Sequence, residues 1–516
     1  MQVDRDASGR FISGERELPE RLLAQRITAA AGGFATLGVG ENDAVAIHLR
    51  NDFAFFEASL GATALGAYAV PLNWHYQAEE AGYILNDCGA KALVVHADLL
   101  GRIAAGIPAG LPVLVVATSP EIAKAYGVDP ALCRVPEGRH DWDAWLARQQ
   151  PWSRSAKALR ASMIYTSGTT GRPKGVRRLP PSPEMALAMA RMVELVFDIR
   201  ARGDLRTVIT GPLYHSAPNV YGLYAARSGG LVVLQPRFEA EELLALIDRH
   251  RISHLHMVPT MFVRLLRLPD AVKRRYDLSS LRWVVHAAAP CPPEVKRRMI
   301  EWWGPVINEY YGATETGAVV FHDSREALRK PGTVGRALEG AQIRIHDDAG
   351  NLLGPGQVGE IFMRQSLYPD FTYHGLEAKR REVERDGLIS VGDVGYVDQD
   401  GYLFLCDRAR DMVISGGVNI YPAEIEACLL GLPGVRDCAV FGIPDEEFGE
   451  ALCAHVDGDP ALVTGEVVRG YLGQHLARYK VPKAVVFQSD LPREDSGKIF
   501  KRKLRDAYWQ GAGRRI

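Results

Sequence analysis

Residues 165–175 read YTSGTTGRPKG, and this stretch decides how the rest of the chain is interpreted. It follows a short apolar run at 161–165 that is typical of a β-strand. Its glycines permit a tight backbone that turns N–H groups toward phosphate oxygens, while its hydroxyls and Lys174 add donors and positive charge. The order Lys174-Gly175 differs from the G-x-x-x-x-G-K-[ST] pattern of P-loop proteins. The stretch therefore predicts a phosphate-binding loop of a kind other than that of the usual kinases and GTPases.

Composition and charge are those of an ordinary globular protein. The 516 residues are 47% hydrophobic and 24% charged, and the formal net charge is -1. This near-neutral balance argues against nucleic acid or an anionic membrane as a partner. The chain shows no secretory h-region and no apolar run long enough to span a bilayer. Its seven cysteines are scattered without a Cys-x-x-Cys pair, so we expect reduced thiols in a soluble, cytoplasmic protein without a transmembrane segment.

The alternation of short apolar strands with amphipathic helices predicts parallel, helix-covered sheets in the first two thirds of the chain. Residues 43–49 and 207–210 are two of the expected strands. After about residue 332, short strands such as 341–346 between Gly/Asp turns indicate a β-rich part. Beyond 407–411, a further alternation of helices and strands is long enough for a small α+β domain.

Further motifs lie along the chain in a fixed order: PLN at 71–73, AAAP at 287–290, YGATE at 311–315, GD at 392–393, DRARD at 407–411, SGGVNIYP at 415–422 and PREDSGKI at 492–499. Together with 165–175, they resemble the acyl-adenylate-forming family, which holds acyl-CoA synthetases, adenylation domains of peptide synthetases and luciferases. The resemblance covers nearly the whole chain. The order of so many motifs makes it specific.

The resemblance implies the fold class: an α/β protein with a large N-terminal domain of two α/β subdomains plus a β-rich subdomain, hinged to a small α+β C-terminal domain. It divides the chain into an N-terminal domain at 1–409 and a mobile C-terminal domain at 410–516. Arg410 stands at the hinge position, where the family usually has Asp or Lys. The implied reaction is AMP-forming acyl-CoA synthesis from a carboxylic acid, ATP and coenzyme A, with Mg²⁺.

In the implied first step a carboxylate attacks the α-phosphorus of ATP. Two anions approach each other, so ammonium, N–H and metal groups must surround that phosphate. Thr166 and Glu315 are the implied Mg²⁺ partners, because oxygen ligands suit this ion. Lys498 would bridge the attacking carboxylate and the α-phosphate. The phosphates that leave would be held by residues of the loop, namely Thr166, Ser167, Gly168, Thr169, Thr170, Gly171 and Lys174.

The other implied nucleotide contacts belong to the later motifs. They are, in chain order, Ala288 and Ala289 along the adenine, Tyr311 stacked on it, Gly312 within the adenylate-binding motif, Thr314 at the α-phosphate, Asp393 on the ribose hydroxyls, and Arg408 beside the ribose and the hinge. Taken singly, several have structural alternatives: Glu315 as an acid at a helix start, Asp393 as a turn former and Lys498 as a solvated base. The phosphate loop upstream favours the functional interpretation of the set.

Histidines and glycines supply the remaining candidates. His215 is expected to guide the substrate carboxylate, with a satisfied core histidine as the alternative. His254 and His256 point to one face of a strand, and core packing is expected because no third metal ligand can be named. For the second step, rotation of the C-terminal domain would bring Gly416 and Gly417 to the site, where backbone without side chains lets the pantetheine arm of coenzyme A pass.

The acyl pocket is expected between 214–221, 257–262 and 287–289, which are mainly apolar and small. No Lys or Arg in these ranges could pair with a second carboxylate, so malonate-like diacids are disfavoured. A fatty or alicyclic acid is expected, and an aryl acid is the next choice. A pair of arginines, Arg177 and Arg178, replaces a Thr-His pair that is common in the family, and the sequence gives no account of it.

Two rival functions stay open at this point. One is an adenylating ligase that loads a separate phosphopantetheine carrier protein, which activity with free coenzyme A would distinguish. The other is a non-enzymatic nucleotide sensor, against which the presence of Lys498 and Glu315 argues. A serine hydrolase is not supported, because the chain has no G-x-S-x-G elbow. The expected partners are therefore the acid, ATP and coenzyme A, without nucleic acid, and a homodimer is left open.

Overall fold

The computed structural model describes residues 9–154, 157, 160–166, 172–200, 204–408, 410–416, 418–493 and 499–510. Seven predicted site residues lie outside the described residues: Ser167, Gly168, Thr169, Thr170, Gly171, Gly417 and Lys498. The other predicted site residues all have a place in the structure. Within the described ranges, no helix is both long enough and apolar enough to cross a membrane.

The strands are numbered in chain order. They are β1 (Arg10–Ser13), β2 (Arg16–Pro19), β3 (Ala44–His48), β4 (Tyr68–Pro71), β5 (Ala90–His96), β6 (Val113–Val116), β7 (His140–Asp141), β8 (Ile164–Thr166), β9 (Lys174–Arg178), β10 (Arg206–Ile209), β11 (Leu231–Leu234), β12 (His254–Met257), β13 (Trp283–His286), β14 (Ile307–Ala313), β15 (Gly317–His322), β16 (Thr333–Ala337), β17 (Ala341–His346), β18 (Gly359–Gln365), β19 (Phe371–Tyr373), β20 (Glu384–Arg385), β21 (Leu388–Val397), β22 (Tyr402–Arg408), β23 (Val413–Ser415), β24 (Val418–Ile420), β25 (Val435–Asp445), β26 (Gly449–Gly458) and β27 (Ala484–Phe487).

The α-helices are numbered in the same way. They are α1 (Glu20–Thr36), α2 (Phe53–Ala64), α3 (Ala78–Asp87), α4 (Ala97–Ile103), α5 (Pro120–Tyr126), α6 (Trp142–Leu146), α7 (Pro183–Phe197), α8 (Ser216–Ala225), α9 (Ala240–His250), α10 (Pro259–Leu266), α11 (Asp270–Lys273), α12 (Pro293–Trp303), α13 (Ser324–Arg329), α14 (Glu377–Glu382), α15 (Pro422–Leu429), α16 (Gly465–His475) and α17 (Lys501–Trp509). Short 3₁₀ turns occupy Ala104–Gly106, Pro130–Cys133 and Arg478–Lys480.

The first α/β subdomain is built on a parallel sheet in the order β4-β3-β5-β6-β7. All residues of β3 are buried, as expected for a strand with helices on both faces of its sheet. Val45 and Ile47 enter the core that α1 and α2 cover, whereas Ala44 and Ala46 enter the core that α3 and α4 cover. The strand predicted at 43–49 is therefore confirmed, with helices packed on both of its faces.

A larger sheet holds the second α/β subdomain and the β-rich part in one continuous structure. Strands β11, β10, β12, β13 and β14 are parallel. From β14 onward the pairing is antiparallel, through β15, β16, β22, β21, β18 and β17. The change from parallel to antiparallel pairing falls on β14, whose carboxyl end carries the first residues of the YGATE motif. The β-rich part predicted after residue 332 is thus the antiparallel half of this sheet.

A small third sheet, in the order β19-β9-β8, connects distant parts of the chain. The hairpin of β8 and β9 flanks the predicted phosphate loop, with Thr166 opposite Lys174. Strand β19 comes from the β-rich part and pairs with β9, which places Tyr373 opposite Val176. The sequence did not predict this pairing, because a strand of three residues carries no periodicity that identifies its partner.

The described residues from Arg410 onward form a small α+β unit, as the predicted fold class requires. Its sheet has the order β24-β23-β26-β25, with β27 paired to β26. Helices α15 and α16 pack on one face, where Ile425 and Leu472 are fully buried. Helix α17 packs on the other face through Leu504, against Phe441 and Cys453.

A buried ionic network lies where the parallel and antiparallel halves of the large sheet meet. The Glu309 carboxylate on β14 pairs with the Lys296 ammonium on α12, and it lies 2.8 Å from His322 Nε2 on β15. Glu309 and Lys296 are 3% and 5% exposed. Burial alone would raise the pKa of Glu309, but Lys296 and the neighbouring His286 and His322 lower it below its ordinary value. The network therefore holds a carboxylate ionised in the interior.

Lys296→Met tests this network. The substitution leaves the buried Glu309 carboxylate without its ammonium partner. We expect the free energy of unfolding of the domain that holds the large sheet to fall by about 3–5 kcal/mol. The loss is measured as a lower urea midpoint of circular dichroism. Arg297→Met on the same helix is the matched control: its ion pairs with Glu294 and Glu301 are exposed, so its urea midpoint should stay close to the parent's. A Lys296→Met protein as stable as the control would contradict the assignment.

Candidate active site

A cavity of about 960 Å³ opens where the large sheet, the β8–β9 hairpin and helices α7 and α8 meet. It lies at the carboxyl ends of parallel strands, which is where open α/β sheets commonly bind ligands. Most of the described candidate residues line it: Thr166, His215, Ala288, Gly312, Thr314, Glu315, Asp393 and Arg408. The segments expected to form the acyl pocket also line the cavity, through residues such as Tyr214, Met257, Met261 and Ala287.

The phosphate-loop hairpin is tied to the YGATE motif by a tyrosine from β19. The Tyr373 hydroxyl donates to Glu315 Oε1 at 3.0 Å, and Lys174 Nζ lies 4.9 Å from the centre of the Tyr373 ring. Burial raises the pKa of Tyr373, and the Glu315 carboxylate raises it further, so the phenol stays protonated as a donor. Lys174 and Glu315 are each 9% exposed. Sequence analysis missed Tyr373, because only the β9–β19 pairing brings it to the site.

Arg178, which the sequence could not explain, braces the same motif from the other side. Its Nη2 donates to the carbonyl oxygens of Thr314 and Glu315, both at 2.8 Å, and its Nη1 donates to the Pro369 carbonyl at 2.8 Å. Desolvation lowers the pKa of the guanidinium. Three carbonyls are good partners for a planar fork of N–H donors, and they fix the backbone on which Thr314 and Glu315 stand.

Asp393 joins three elements on the opposite wall. Its Oδ2 accepts a hydrogen bond of 2.7 Å from the Tyr311 hydroxyl, and its Oδ1 lies 3.3 Å from Arg408 Nε. Asp393 and Arg408 are register partners on β21 and β22. Burial raises the pKa of Tyr311 well above its ordinary value, and Asp393 raises it further. The structure therefore brings together three residues that the sequence proposed separately for adenine, ribose and hinge.

Two backbone features shape the cavity between these groups. Ala288 has φ = 75°, a left-handed conformation that is uncommon for a residue other than Gly or Asn and costs of order 1–3 kcal/mol. Ala289 is half-buried beside it. Gly312 lies at a β-bulge between β14 and β15, where a Cβ atom would come within 1.9 Å of the Gly317 carbonyl oxygen. Strain at Ala288 and close backbone approach at Gly312 both fall on the predicted nucleotide contacts.

The histidines divide between the cavity and the core. His215 precedes the first residue of α8, is half-buried and lines the cavity, with its ring centre 4.3 Å from that of Tyr214. His254 bonds to Ser253 and to Asp198, as expected of a core residue. His256 lies 3.3 Å from the Tyr310 hydroxyl and also borders the cavity. Burial lowers the pKa of His256 to about 4, so its ring is neutral near neutral pH.

The two described candidates of the small domain, Arg410 and Gly416, are not on the cavity wall. The Arg410 carbonyl accepts a hydrogen bond of 3.4 Å from Arg505. Gly416 has φ = 57°, and a Cβ atom on it would lie 3.0 Å from the Phe448 ring. Neither residue lines the cavity in this arrangement. Within the described parts of the chain, no cluster of three or more His, Cys, Asp or Glu side chains could hold a metal ion.

Solved structures share this fold over nearly the full chain. An amide bond synthetase, McbA from Marinactinospora thermotolerans, matches with a TM-score of 0.81 and 27% sequence identity, covering 98% of each chain. The fold is therefore that of a two-domain adenylating enzyme, with a large N-terminal and a smaller C-terminal domain, and the predicted fold class is confirmed.

The family follows from sequence comparison. Residues 11–368 match the model described as AMP-binding enzyme, and residues 424–498 match the AMP-binding enzyme C-terminal domain. A long-chain-fatty-acid–CoA ligase, FadD13 of Mycobacterium tuberculosis, is 32% identical over 92% of this chain and 89% of its own. A feruloyl-CoA synthase of Amycolatopsis sp. is 33% identical over 94% and 93%. The chain belongs to the AMP-binding enzyme family, and the acyl-CoA ligase class predicted from the motifs is the class named for these relatives.

Arg178→Gln tests the brace on the YGATE motif. Loss of the charged donor frees the Thr314 and Glu315 carbonyls, and we expect ATP to bind at least about tenfold more weakly, measured by titration calorimetry. Arg178→Lys should be nearly as weak, because an ammonium cannot reproduce the fork. Arg177→Gln is the control, since that side chain instead lies 4.9 Å from the Tyr68 ring. Equal affinity in Arg178→Gln and Arg177→Gln would refute the role given to Arg178.

Proposed function

We propose that the protein is an AMP-forming acid–CoA ligase that activates a fatty or alicyclic carboxylic acid as its adenylate and then transfers the acyl group to coenzyme A. The observation that carries this proposal is the continuity of the cavity. Its polar wall holds Glu315, Asp393 and Arg408, and its apolar wall is formed by α7 and α8. A nucleotide and an apolar acid could therefore occupy one connected space.

In the first half-reaction, the charged wall would stabilise negative charge that develops around the α-phosphate. Lys174 and the loop at 167–171 would hold the phosphates that leave, and Thr314 would donate to the α-phosphate. Thr166 and Glu315 supply a hydroxyl and a carboxylate oxygen on the cavity wall, a donor set that suits Mg²⁺ with phosphates and water completing its shell. Bound there, Mg²⁺ would neutralise phosphate charge. Lys498 would stabilise the attacking carboxylate and the α-phosphate together.

The nucleoside would be held by the opposite wall. The Tyr311 ring would stack on the adenine, which the strained turn at Ala288 and Ala289 would border, with Gly312 allowing close approach of the backbone. Asp393 would accept hydrogen bonds from the ribose hydroxyls while Arg408 keeps its carboxylate oriented. The existing Tyr311–Asp393 bond supports this proposal, because it shows that the ring and the carboxylate are already positioned toward each other.

The acyl end would lie along α7 and α8. Met192, Val193 and Leu223 from these helices are buried side chains that border the cavity. His215, at the start of α8, would orient the reacting carboxylate. This apolar wall favours a fatty or alicyclic acid. An aryl acid is the alternative, because the long-chain-fatty-acid–CoA ligase and the feruloyl-CoA synthase are 32% and 33% identical to this chain.

The second half-reaction would follow rotation of the small domain. We place the division at Arg410, with residues 1–409 as the N-terminal domain and 410–516 as the C-terminal one. The matched regions of the two family models end and begin on either side of that point. Rotation would bring Gly416 and Gly417 to the cavity, which in the present arrangement neither Gly416 nor Arg410 borders. A phosphopantetheine carrier protein is the alternative acceptor.

A cytoplasmic setting fits the cysteines. All seven are free thiols, and three of them are buried. Disulfide-free chains with this many cysteines are usual in reducing compartments. Light scattering on the purified protein would decide between a monomer and the homodimer that the sequence leaves open.

The proposed chemistry is tested by acid-dependent pyrophosphate release from ATP and Mg²⁺, with and without coenzyme A, across fatty, alicyclic and aryl acids. We expect release with acyl-CoA as product, and Lys498→Ala should slow adenylate formation on the order of 10²–10³-fold because transition-state charge loses its ammonium. Lys503→Ala, an exposed lysine on α17, is the matched control and should keep the parent rate.

Each other outcome points elsewhere. Adenylate without any thioester indicates a carrier protein as the acceptor. ATP binding without pyrophosphate release from any acid indicates a nucleotide sensor. Equal rates for Lys498→Ala and Lys503→Ala would remove Lys498 from the mechanism.

A further inference from the structure

Arg227 lies on the cavity wall beyond the ranges in which the acyl pocket was expected. It comes just after α8, and its backbone N–H donates to the Tyr224 carbonyl at 3.1 Å. Leu223, Tyr224 and Arg227 all border the cavity. His215 borders it at the other end of α8. At 1.5 Å per helical residue the two are roughly 18 Å apart, so the cavity follows the helix along its length.

The other arginines of the described cavity wall are already committed to protein partners. Arg160 pairs with Glu41 at 3.0 Å, Arg178 donates to three carbonyls, and Arg408 lies beside Asp393. For Arg227, no carboxylate of the described residues acts on the guanidinium, and the neighbour that does is the Tyr224 hydroxyl. Burial raises the pKa of Tyr224, so this hydroxyl stays neutral and provides no counter-charge. Among the described residues, Arg227 thus has no anionic partner.

Arg227 is exposed on the cavity wall, so a ligand in the cavity can reach its guanidinium. Its side chain stays accessible to water, yet enough protein surrounds it that desolvation lowers the pKa of the guanidinium. A cation in such a place gains more from an opposite charge than a cation on the open surface does, because less water screens the pair. The wall beside it is apolar through Leu223. An anion that arrived there at the end of a hydrocarbon skeleton would meet both needs.

The path from Arg227 back to the reacting groups excludes a short acid. Tyr224 neighbours Tyr368, and the Tyr368 ring lies 5.9 Å from the Arg178 guanidinium that braces the YGATE motif. Two aromatic side chains thus separate Arg227 from the nucleotide side of the cavity. A second charge bound at Arg227 must therefore be separated from the reacting carboxylate by a carbon skeleton. Malonate-like diacids remain disfavoured, but the expectation of no arginine at the acyl site holds only for the ranges first considered.

We infer that Arg227 forms a specificity subsite for a second anionic group at the far end of the substrate, so that the preferred acids are long or cyclic carboxylic acids with a distal carboxylate. This inference rests on the proposed ligase function and narrows its substrate class. Arg227 is not a catalytic residue in this scheme, because it acts on the tail of the acid and not on the reacting atoms. The apolar stretch between holds the skeleton, and the guanidinium selects its end.

The test compares monoacids with α,ω-diacids of the same carbon number, such as dodecanoic with dodecanedioic acid, in the full-length enzyme. We expect the parent to favour the diacid, and Arg227→Gln to lower the diacid-to-monoacid ratio of kcat/KM at least about tenfold, as loss of one charged hydrogen bond implies. Arg227→Lys should retain part of the preference because it keeps the charge. Arg191→Gln, an exposed arginine on α7 that does not border the cavity, should leave the ratio unchanged.

A binding measurement separates the subsite from the chemistry. The diacid should raise the Tm of the parent more than the monoacid does, and Arg227→Gln should abolish that difference without any turnover. Turnover of monoacids with the same ratio in parent and Arg227→Gln would overturn the inference while leaving the ligase function intact. A raised KM for coenzyme A with every acid alike would also overturn it, since Arg227 would then bind the cosubstrate. No turnover of any acid would instead overturn the proposed function on which the inference rests.

Discussion

The hydrogen bond between Tyr311 and Asp393 is the constraint on which the architecture of this site depends. The two residues lie on β14 and β21, which are four strand spacings apart in the order of the large sheet, or about 19 Å if that sheet were flat. The hydroxyl and the carboxylate are nevertheless 2.7 Å apart. The antiparallel half of the sheet must therefore curl back on the parallel half, and the curl encloses a core that includes Val319, Ile361 and Leu403.

This curl explains why residues from remote motifs share one cavity. It brings Asp393 and Arg408, near the end of the large domain, to the same wall as the carboxyl end of β14. Arg408 is two residues before Arg410, so the backbone at the proposed hinge is linked through Asp393 to the wall proposed to bind the nucleotide. The opposite wall is fixed independently, by the β9–β19 pairing that places Tyr373 on Glu315 and by the three carbonyl bonds of Arg178. The site is thus rigid on two sides before a ligand arrives.

Charge is distributed unevenly over the cavity and its support. Beneath it, Glu309 is neutralised by Lys296 within the protein, and on its wall Arg160, Arg178 and Arg408 have protein partners. Internal pairing keeps these groups in place without help from a ligand. Arg227 differs because no carboxylate of the described residues pairs with it, and this is the observation on which its proposed role in ligand recognition rests.

The sequence by itself determined the class of fold, the positions of several strands and a set of polar candidates that mostly line one cavity, because hydrophobic periodicity and ordered motifs are local signals. The strands at 43–49, 207–210 and 341–346 were placed within a residue or two. Only the tertiary structure decided which side chains support those residues. Tyr373 reaches Glu315 through a three-residue strand, Arg178 finds carbonyls more than a hundred positions away, and Arg227 meets the cavity only because α8 runs along it. Such contacts depend on how the sheets curl and pair, and no short stretch of sequence encodes a partner that distant.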